Sequence, residues 1–132
     1  MPLLALSLAA VFTICGDAPR QTCVVDGDTI WLAGEKVRIA DINAPETAQA
    51  ACPAERVRGE AARARLLALL NSGSFILENG PRSHDRYGRR LATLTRDGQS
   101  LGSILVAEGL AEPWRGKRSD WCALLAAEAL RR

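Results

Sequence analysis

The stretch from Thr22 to Asp41, TCVVDGDTIWLAGEKVRIAD, constrains the fold more than any other part of the chain. β-branched and aromatic residues alternate with polar ones around two turn signals, Asp26-Gly27 and Gly34. A period of two over short runs marks strands, because successive side chains of a strand point to opposite faces. The stretch therefore predicts a meander of at least two antiparallel strands.

The next segment changes period. In PAERVRGEAARARLLALLNSG, Pro53 suits a first helical turn, Leu66, Leu67, Leu69 and Leu70 are apolar, and Asn71-Ser72-Gly73 is a stop. One amphipathic helix over Ala54–Leu70 is predicted. Two strand-like runs follow, SFILEN and RLATLTR, separated by the polar loop GPRSHDRYGR. Asp97-Gly98 makes a turn, Ser100 is placed to cap a helix LGSILVAEGLA, and Gly109 helps to end it. A last helical segment, DWCALLAAEALRR, finishes on arginines, where the helix dipole favours positive charge. Strands, helix, strands, helix, helix, with no internal repeat, predict a small α+β domain around a barrel. A chain of 132 residues has room for one hydrophobic core and is too short for two ordinary domains. That domain is expected over residues 15–132.

Residues 1–14 stand apart. The apolar run from Leu3 to Ile14 is broken only by Ser7 and Thr13 and is too short to cross a bilayer as a helix. Its length is that of a signal-peptide core, but a charged start and a clean small-x-small cleavage site are missing. Two readings stand: a signal-like leader, or a first strand of the domain from about Ala10 to Cys15.

Cys15, Cys23, Cys52 and Cys122 bear on that choice, being even in number with no pair at the CxxC spacing of a zinc or redox motif. Cys15 and Cys23 flank the turn-rich GDAPRQT, where a hairpin would join them, and Cys52 and Cys122 would then pair by default. Disulfides suit an exported protein, periplasmic or secreted. Four buried free thiols in a cytosolic protein are the alternative. The formal charge is only +2, yet 15 of the 17 basic residues are arginine, Lys36 and Lys117 being the lysines. Arginine favours forked contact with phosphate or carboxylate, although a solvated surface also uses it.

The acidic residues come next. VVDGDTI sets Asp26 and Asp28 two apart, on one face of a strand, where paired carboxylates bind a hard cation through oxygen. The plain alternative is that Asp-Gly-Asp is only a turn. The loop after the following strand adds Asn43 and Glu46 around Pro45, and a carboxylate there is placed to ligate a metal or to take a proton from water. Arg38 lies just before, and HDRYGRR adds Arg86, Arg89 and Arg90 beside Tyr87. Two arginines converging on a phosphate neutralise the charge that builds up in phosphoryl transfer. Other chemistries lack material: the only histidine, His84, reads as solvated, and neither a Gly-rich phosphate loop nor a nucleophile-elbow serine occurs.

Taken in order, VVDGDTI, VRIADINAPET, a helix, DRYGR and LVAEGLA resemble the thermonuclease family, the staphylococcal (micrococcal) nuclease-like domains, from about Cys23 to Ala111. The resemblance implies a five-stranded OB-fold barrel with two to three helices. It also implies a calcium-dependent endonuclease of low sequence specificity that cuts DNA and RNA and leaves 3′-phosphate ends. By motif, Asp28 and Asn43 match calcium ligands, and Ala44 matches the residue that lends a backbone carbonyl. Glu46 matches the general base, which also reaches the metal through water, and Asp26 matches a carboxylate near it. Arg38 and Arg89 match the two phosphate-binding arginines, and Tyr87, next to Arg86, matches a tyrosine near the terminal phosphate. Arg38, Glu46 and Arg89 thus form the expected catalytic set, in a monomer with no stable protein partner.

The chain leaves the family pattern at two places. Asn43 stands where the family typically has Asp; an amide oxygen still ligates calcium, but affinity tracks ligand charge. Asp41, two residues earlier, would restore that charge if the strand stays regular, or else is a surface or turn residue. Beyond Ala111, EPWRGKRSDWC replaces a tyrosine-containing segment on which the family stacks a base. Trp114, set among Arg115, Lys117 and Arg118, offers an aromatic face amid positive charge, as suits a single-stranded substrate. Packing of Trp114 against the last helix is the alternative. The rival to an active nuclease is a catalytically weak or inactive nucleic-acid-binding OB-fold module.

Overall fold

The computed structural model describes residues 7–8 and 11–132. In chain order it runs β1 (Ser7–Leu8), β2 (Thr13–Ile14), β3 (Cys23–Asp26), β4 (Thr29–Leu32), β5 (Glu35–Ile39), β6 (Ile42–Asn43) and α1 (Pro53–Asn71). There follow β7 (Phe75–His84), β8 (Arg90–Arg96), β9 (Gln99–Ser100), α2 (Leu101–Ala107), β10 (Glu112–Pro113) and α3 (Trp121–Leu130). The α+β class holds, with three helices.

The Thr22–Asp41 alternation becomes three strands. β3 pairs with β4 and β4 with β5, all antiparallel. The full sheet order is β1-β7-β8-β5-β4-β3-β2, so the five longest strands lie side by side in its middle. β5 and β8 run parallel, with Arg38 opposite Leu91, which makes the sheet mixed. β6 and β10 form a separate antiparallel pair, Asn43 opposite Glu112.

One face of the meander buries Val24, Ile30, Val37 and Ile39, and α1 contributes Ala62, Leu66, Leu69 and Leu70 to the same core. Each large side chain so buried stabilises the fold by about 1.5–3 kcal/mol. α1 is one residue longer at each end than its apolar pattern predicts, with Pro53 in its first turn. The caps are as expected: the Ser100 side chain accepts from the Ser103 N–H. Gly109, at a φ of 76°, turns the chain out of α2.

One expectation is corrected. The polar stretch after SFILEN is not all loop, because β7 continues through Gly80 and Pro81 to His84. Ladder hydrogen bonds come from the backbone and need no buried side chain, so an exposed strand end reads as loop in composition. A register shift between Asn79 and His84 accommodates Pro81, which has no N–H to offer β8. The connecting turn shrinks to Asp85–Arg89.

At the other end, β2 lies within the span expected for a first strand, but it pairs parallel to β3, so the stretch between Cys15 and Cys23 is a crossover and not the expected hairpin. Phe12 is buried with its ring centroid 6.0 Å from that of Phe75. Its backbone N–H and C=O both bond to the Asn71 side chain, at 2.8 and 3.0 Å. The core thus takes in Phe12, ahead of the expected start at Cys15. Residues 1–6 and 9–10, which carry much of the leader reading, lie outside the described residues. Cys15 bonds to Cys23 and Cys52 to Cys122. Among the described residues no helix is long and apolar enough to cross a membrane.

Candidate active site

The turn between β3 and β4 presses against α1. A Cβ on Gly27 would lie 2.8 Å from the Ala62 Cβ and 2.9 Å from the Ala44 Cβ, so a glycine is needed for this approach. Asp26 and Asp28 flank the contact. Buried Asp28 accepts the Ala44 N–H at 2.8 Å and the Thr29 hydroxyl at 3.0 Å, and lies 3.5 Å from Arg38 Nη2. Asp26 accepts the Thr47 hydroxyl at 2.6 Å.

Glu46 joins them from the loop after β6. Its N–H donates to Glu55 Oε2 at 3.0 Å, while Glu55 Oε1 accepts the Ala51 N–H at 2.9 Å, so one buried carboxylate of α1 ties down both sides of the loop. α1 runs so close that a Cβ at Gly59 would collide with the Glu46 carbonyl. Asp26, Asp28 and Glu46 then offer carboxylate oxygens that all lie within 4.8 Å of one another.

Such a cluster calls for positive charge. Burial first, and Asp26 second, push the Glu46 carboxyl above the ordinary glutamate range, while Arg118, 2.8 Å from Glu46 Oε1, pulls it back. Burial likewise raises Asp26, against the pull of the Thr47 hydroxyl. An all-oxygen donor set with two carboxylates strained by desolvation fits a hard divalent cation.

The arginines complete the site. Arg38 is buried; its Nη1 donates to the Ile39 carbonyl and, at 2.9 Å, to the Ile42 carbonyl, and its guanidinium lies 5.3 Å from the Trp114 ring centroid. Burial pulls Arg38 below the usual arginine range, and Asp28 opposes that. Arg89 belongs to a self-contained turn: its Nε lies 2.6 Å from Asp85 Oδ2, and Asp85 Oδ1 accepts the N–H groups of Tyr87 and Arg89 at 2.9 Å each. Tyr87 is exposed, with the guanidinium groups of Arg86 and Arg89 at 5.1 and 5.5 Å from its ring centroid. Because Arg90 opens β8 opposite Val37, this turn hangs beside the strand that carries Arg38.

Comparison with known proteins agrees. The pattern of the family described as "Staphylococcal nuclease homologue" matches residues 36–129. The chain belongs to the staphylococcal nuclease homologue family. Endonuclease YncB of Bacillus subtilis is 42% identical over 95 aligned positions, covering 66% of this chain and 43% of that protein. Succinoglycan biosynthesis protein ExoI of Rhizobium meliloti is 35% identical over 97 aligned positions, covering 69% of this chain and 49% of that protein. A Haemophilus influenzae protein named uncharacterized endonuclease is 30% identical over 137 aligned positions, 96% of this chain and 72% of that protein. The chain thus spans less than half of YncB and of ExoI.

Within this staphylococcal nuclease homologue, the residues singled out from the sequence fall into three groups. Asp26, Asp28 and Glu46 are brought together, with Arg38 against Asp28 and the Ala44 N–H bound to it. Arg86, Tyr87 and Arg89 form the neighbouring turn, and Lys117 is exposed. The Asn43 side chain is buried and engaged with the segment that leads into α3. Its Oδ1 accepts the Ser119 N–H at 2.9 Å and the Trp121 indole N–H at 3.1 Å, which occupies both lone pairs. Asp41 bonds the Ser100 hydroxyl at 2.5 Å, at the start of α2, and does not make good the charge that Asn43 lacks. Trp114 packs beneath Arg38; Trp121, not Trp114, is the tryptophan buried on the last helix.

The sequence carries no local mark of Thr47, Glu55, Gly59 or the Arg118 contact as site features. Glu55 follows Pro53 closely, and an acidic residue in a first turn reads as ordinary helix electrostatics. Nothing local to Gly59 shows what packs on it. Arg118 stands among Arg115 and Lys117, with no local mark that it alone reaches Glu46.

Proposed function

We propose that this chain is a divalent-cation-dependent phosphodiesterase, an endonuclease for DNA and RNA with low sequence preference. The observation that carries the reading is the set of three carboxylates within 4.8 Å of one another, with Arg38 against one of them. A hard cation such as Ca²⁺, held by Asp28 with Asp26 and Glu46 nearby and the Ala44 carbonyl as a further donor, would polarise the phosphodiester.

The chain's own groups do the rest. Glu46 takes the proton of the attacking water, and the Glu55 contacts hold its backbone in place. Arg38 and Arg89 bind the phosphate oxygens and offset the charge of the transition state, and Arg89 also faces the departing oxygen. Water adds to phosphorus as the bond to the 5′-oxygen breaks, which leaves a 3′-phosphate. Exposed Tyr87, Arg86, Trp114 and Lys117 line the approach, and stacking on an open aromatic face favours a single strand. The two disulfides support export, and the molecule is read as a monomer.

The engaged oxygen of Asn43 favours a second reading, a nucleic-acid-binding module with weak or no catalysis, since one family ligand position is taken up elsewhere. Incubating the protein with single-stranded DNA over a calcium series decides between them. Calcium-dependent cleavage with 3′-phosphate products, lost in Glu46→Ala, is the expected result. Binding without cleavage at millimolar calcium would leave only the module, and cleavage surviving Glu46→Ala would remove Glu46 as the base.

A further inference from the structure

We infer that Arg118 is a built-in counter-cation of the carboxylate site, which an incoming divalent cation must displace. The inference rests on the cation-binding reading above. Arg118 Nη1 lies 2.8 Å from Oε1 of Glu46, one of the three carboxylates that each offer an oxygen within 4.8 Å of the others. The two partners are unequally held: the Arg118 side chain is 65% exposed and that of Glu46 17%. The guanidinium therefore reaches in from solvent and can swing out, whereas the carboxylate stays.

The segment that carries Arg118 is fixed on both sides of it. Upstream, β10 pairs with β6, Glu112 opposite Asn43, and the Trp114 N–H bonds to the Asp41 carbonyl at 2.9 Å. Downstream, the buried Asn43 amide oxygen accepts from Ser119 and Trp121, and Cys122 is bonded to Cys52. Asn43 is in this sense a positioning residue, holding the residue that directly follows Arg118. The residue directly after Arg118 is thus held, while the exposed Arg118 side chain is free to move. A guanidinium and a divalent cation carry like charge and cannot share Glu46 without repulsion.

The contact weakens cation binding without preventing it. An exposed ion pair stabilises little, so its displacement lowers affinity by about two- to fivefold.

Calorimetric titration of calcium into the metal-free protein tests this without reference to turnover. Arg118→Gln is expected to bind calcium about two- to fivefold more tightly than the parent, and Arg118→Lys to fall between them. In the parent, the side-chain NMR signal of Arg118 is expected to move to that of a free arginine as calcium is added. Affinity in Arg118→Gln equal to or weaker than the parent's, or an Arg118 signal that ignores calcium, overturns the inference while leaving the site reading standing. Asp28→Asn separates the two: calcium binding unchanged there means the ion sits elsewhere, and both fall. Absence of calcium binding in the parent and in Arg118→Gln alike also removes both. Because Arg118 is exposed, its variants keep the fold, and an unchanged circular dichroism spectrum verifies that.

Discussion

Arg38 and Arg89 present the same planar cation, yet the molecule holds them in opposite ways. Arg38 is buried among partners drawn from three elements: Asp28 before β4, the carbonyl at the end of β5 and the carbonyl of Ile42 in β6, with Trp114 against its face. Arg89 finds its partners within its own turn, Asp85 holding it by side chain and backbone together. One arginine is part of the architecture, and the other is carried on a small autonomous clip. Removing the first is expected to disturb the fold along with the proposed chemistry, whereas removing the second is expected to touch the proposed chemistry alone.

The largest effect is expected at Arg38. Arg38→Ala leaves Asp28 buried without its cation and should cost about 3–5 kcal/mol in urea denaturation. Arg89→Ala should stay within about 1 kcal/mol of the parent, while turnover of an oligonucleotide falls by about a hundredfold or more. Equal stability losses in the two variants would break the contrast.

Glu55→Ala extends the same test to the carboxylate side. Two N–H groups, of Glu46 and Ala51, lose their acceptor, and a loss of about 2–4 kcal/mol is expected in the same denaturation assay. Turnover should drop as well, because the backbone of Glu46 is released. A smaller change is expected at Asp85: Asp85→Asn keeps an oxygen for the N–H groups of Tyr87 and Arg89 but removes the charge facing Arg89. Stability should move by less than about 1 kcal/mol, and KM for single-stranded DNA should change more than kcat.

Asp26→Asn gives the smallest effect and the one with a pH signature. Burial raises the Asp26 carboxyl, so the folded metal-free protein binds that proton more tightly than the unfolded chain does. Its contribution is therefore present below the usual carboxylate range and lost as pH rises through the raised value. Asp26→Asn should raise the melting temperature of metal-free protein at neutral pH, and the gain should shrink as pH falls through the raised pKa. A gain that grows on acidification would reverse the sign of the argument.

What could be read from the sequence follows the same division. The meander, α1 and the caps at Ser100 and Gly109 are legible because period and turn chemistry are local. The proximity of Asp28, Glu46 and Arg38 is legible through short motifs in order, and the roles proposed for them and for Arg89 rest on the same motifs. The second role of Asn43 is hidden, since its partners Ser119 and Trp121 lie far along the chain and meet it only through the pairing of β6 with β10. Glu55 and Gly59 are hidden for a related reason: both act on Glu46 only once α1 has docked. The polar end of β7 misleads because composition reports exposure, while a ladder is made by the backbone.

The order of the sheet carries a further consequence. An outermost strand displays unpaired N–H and C=O groups that recruit neighbouring chains. Here two short strands ahead of Cys15 cover part of each margin, β1 lying along Phe75 and Ile76 of β7 and β2 along Cys23 and Val24 of β3. A molecule that lost β1 and β2 would keep every carboxylate and arginine of the site and still give up that cover, exposing more strand edge to self-association. Its first symptom in a tube would be turbidity.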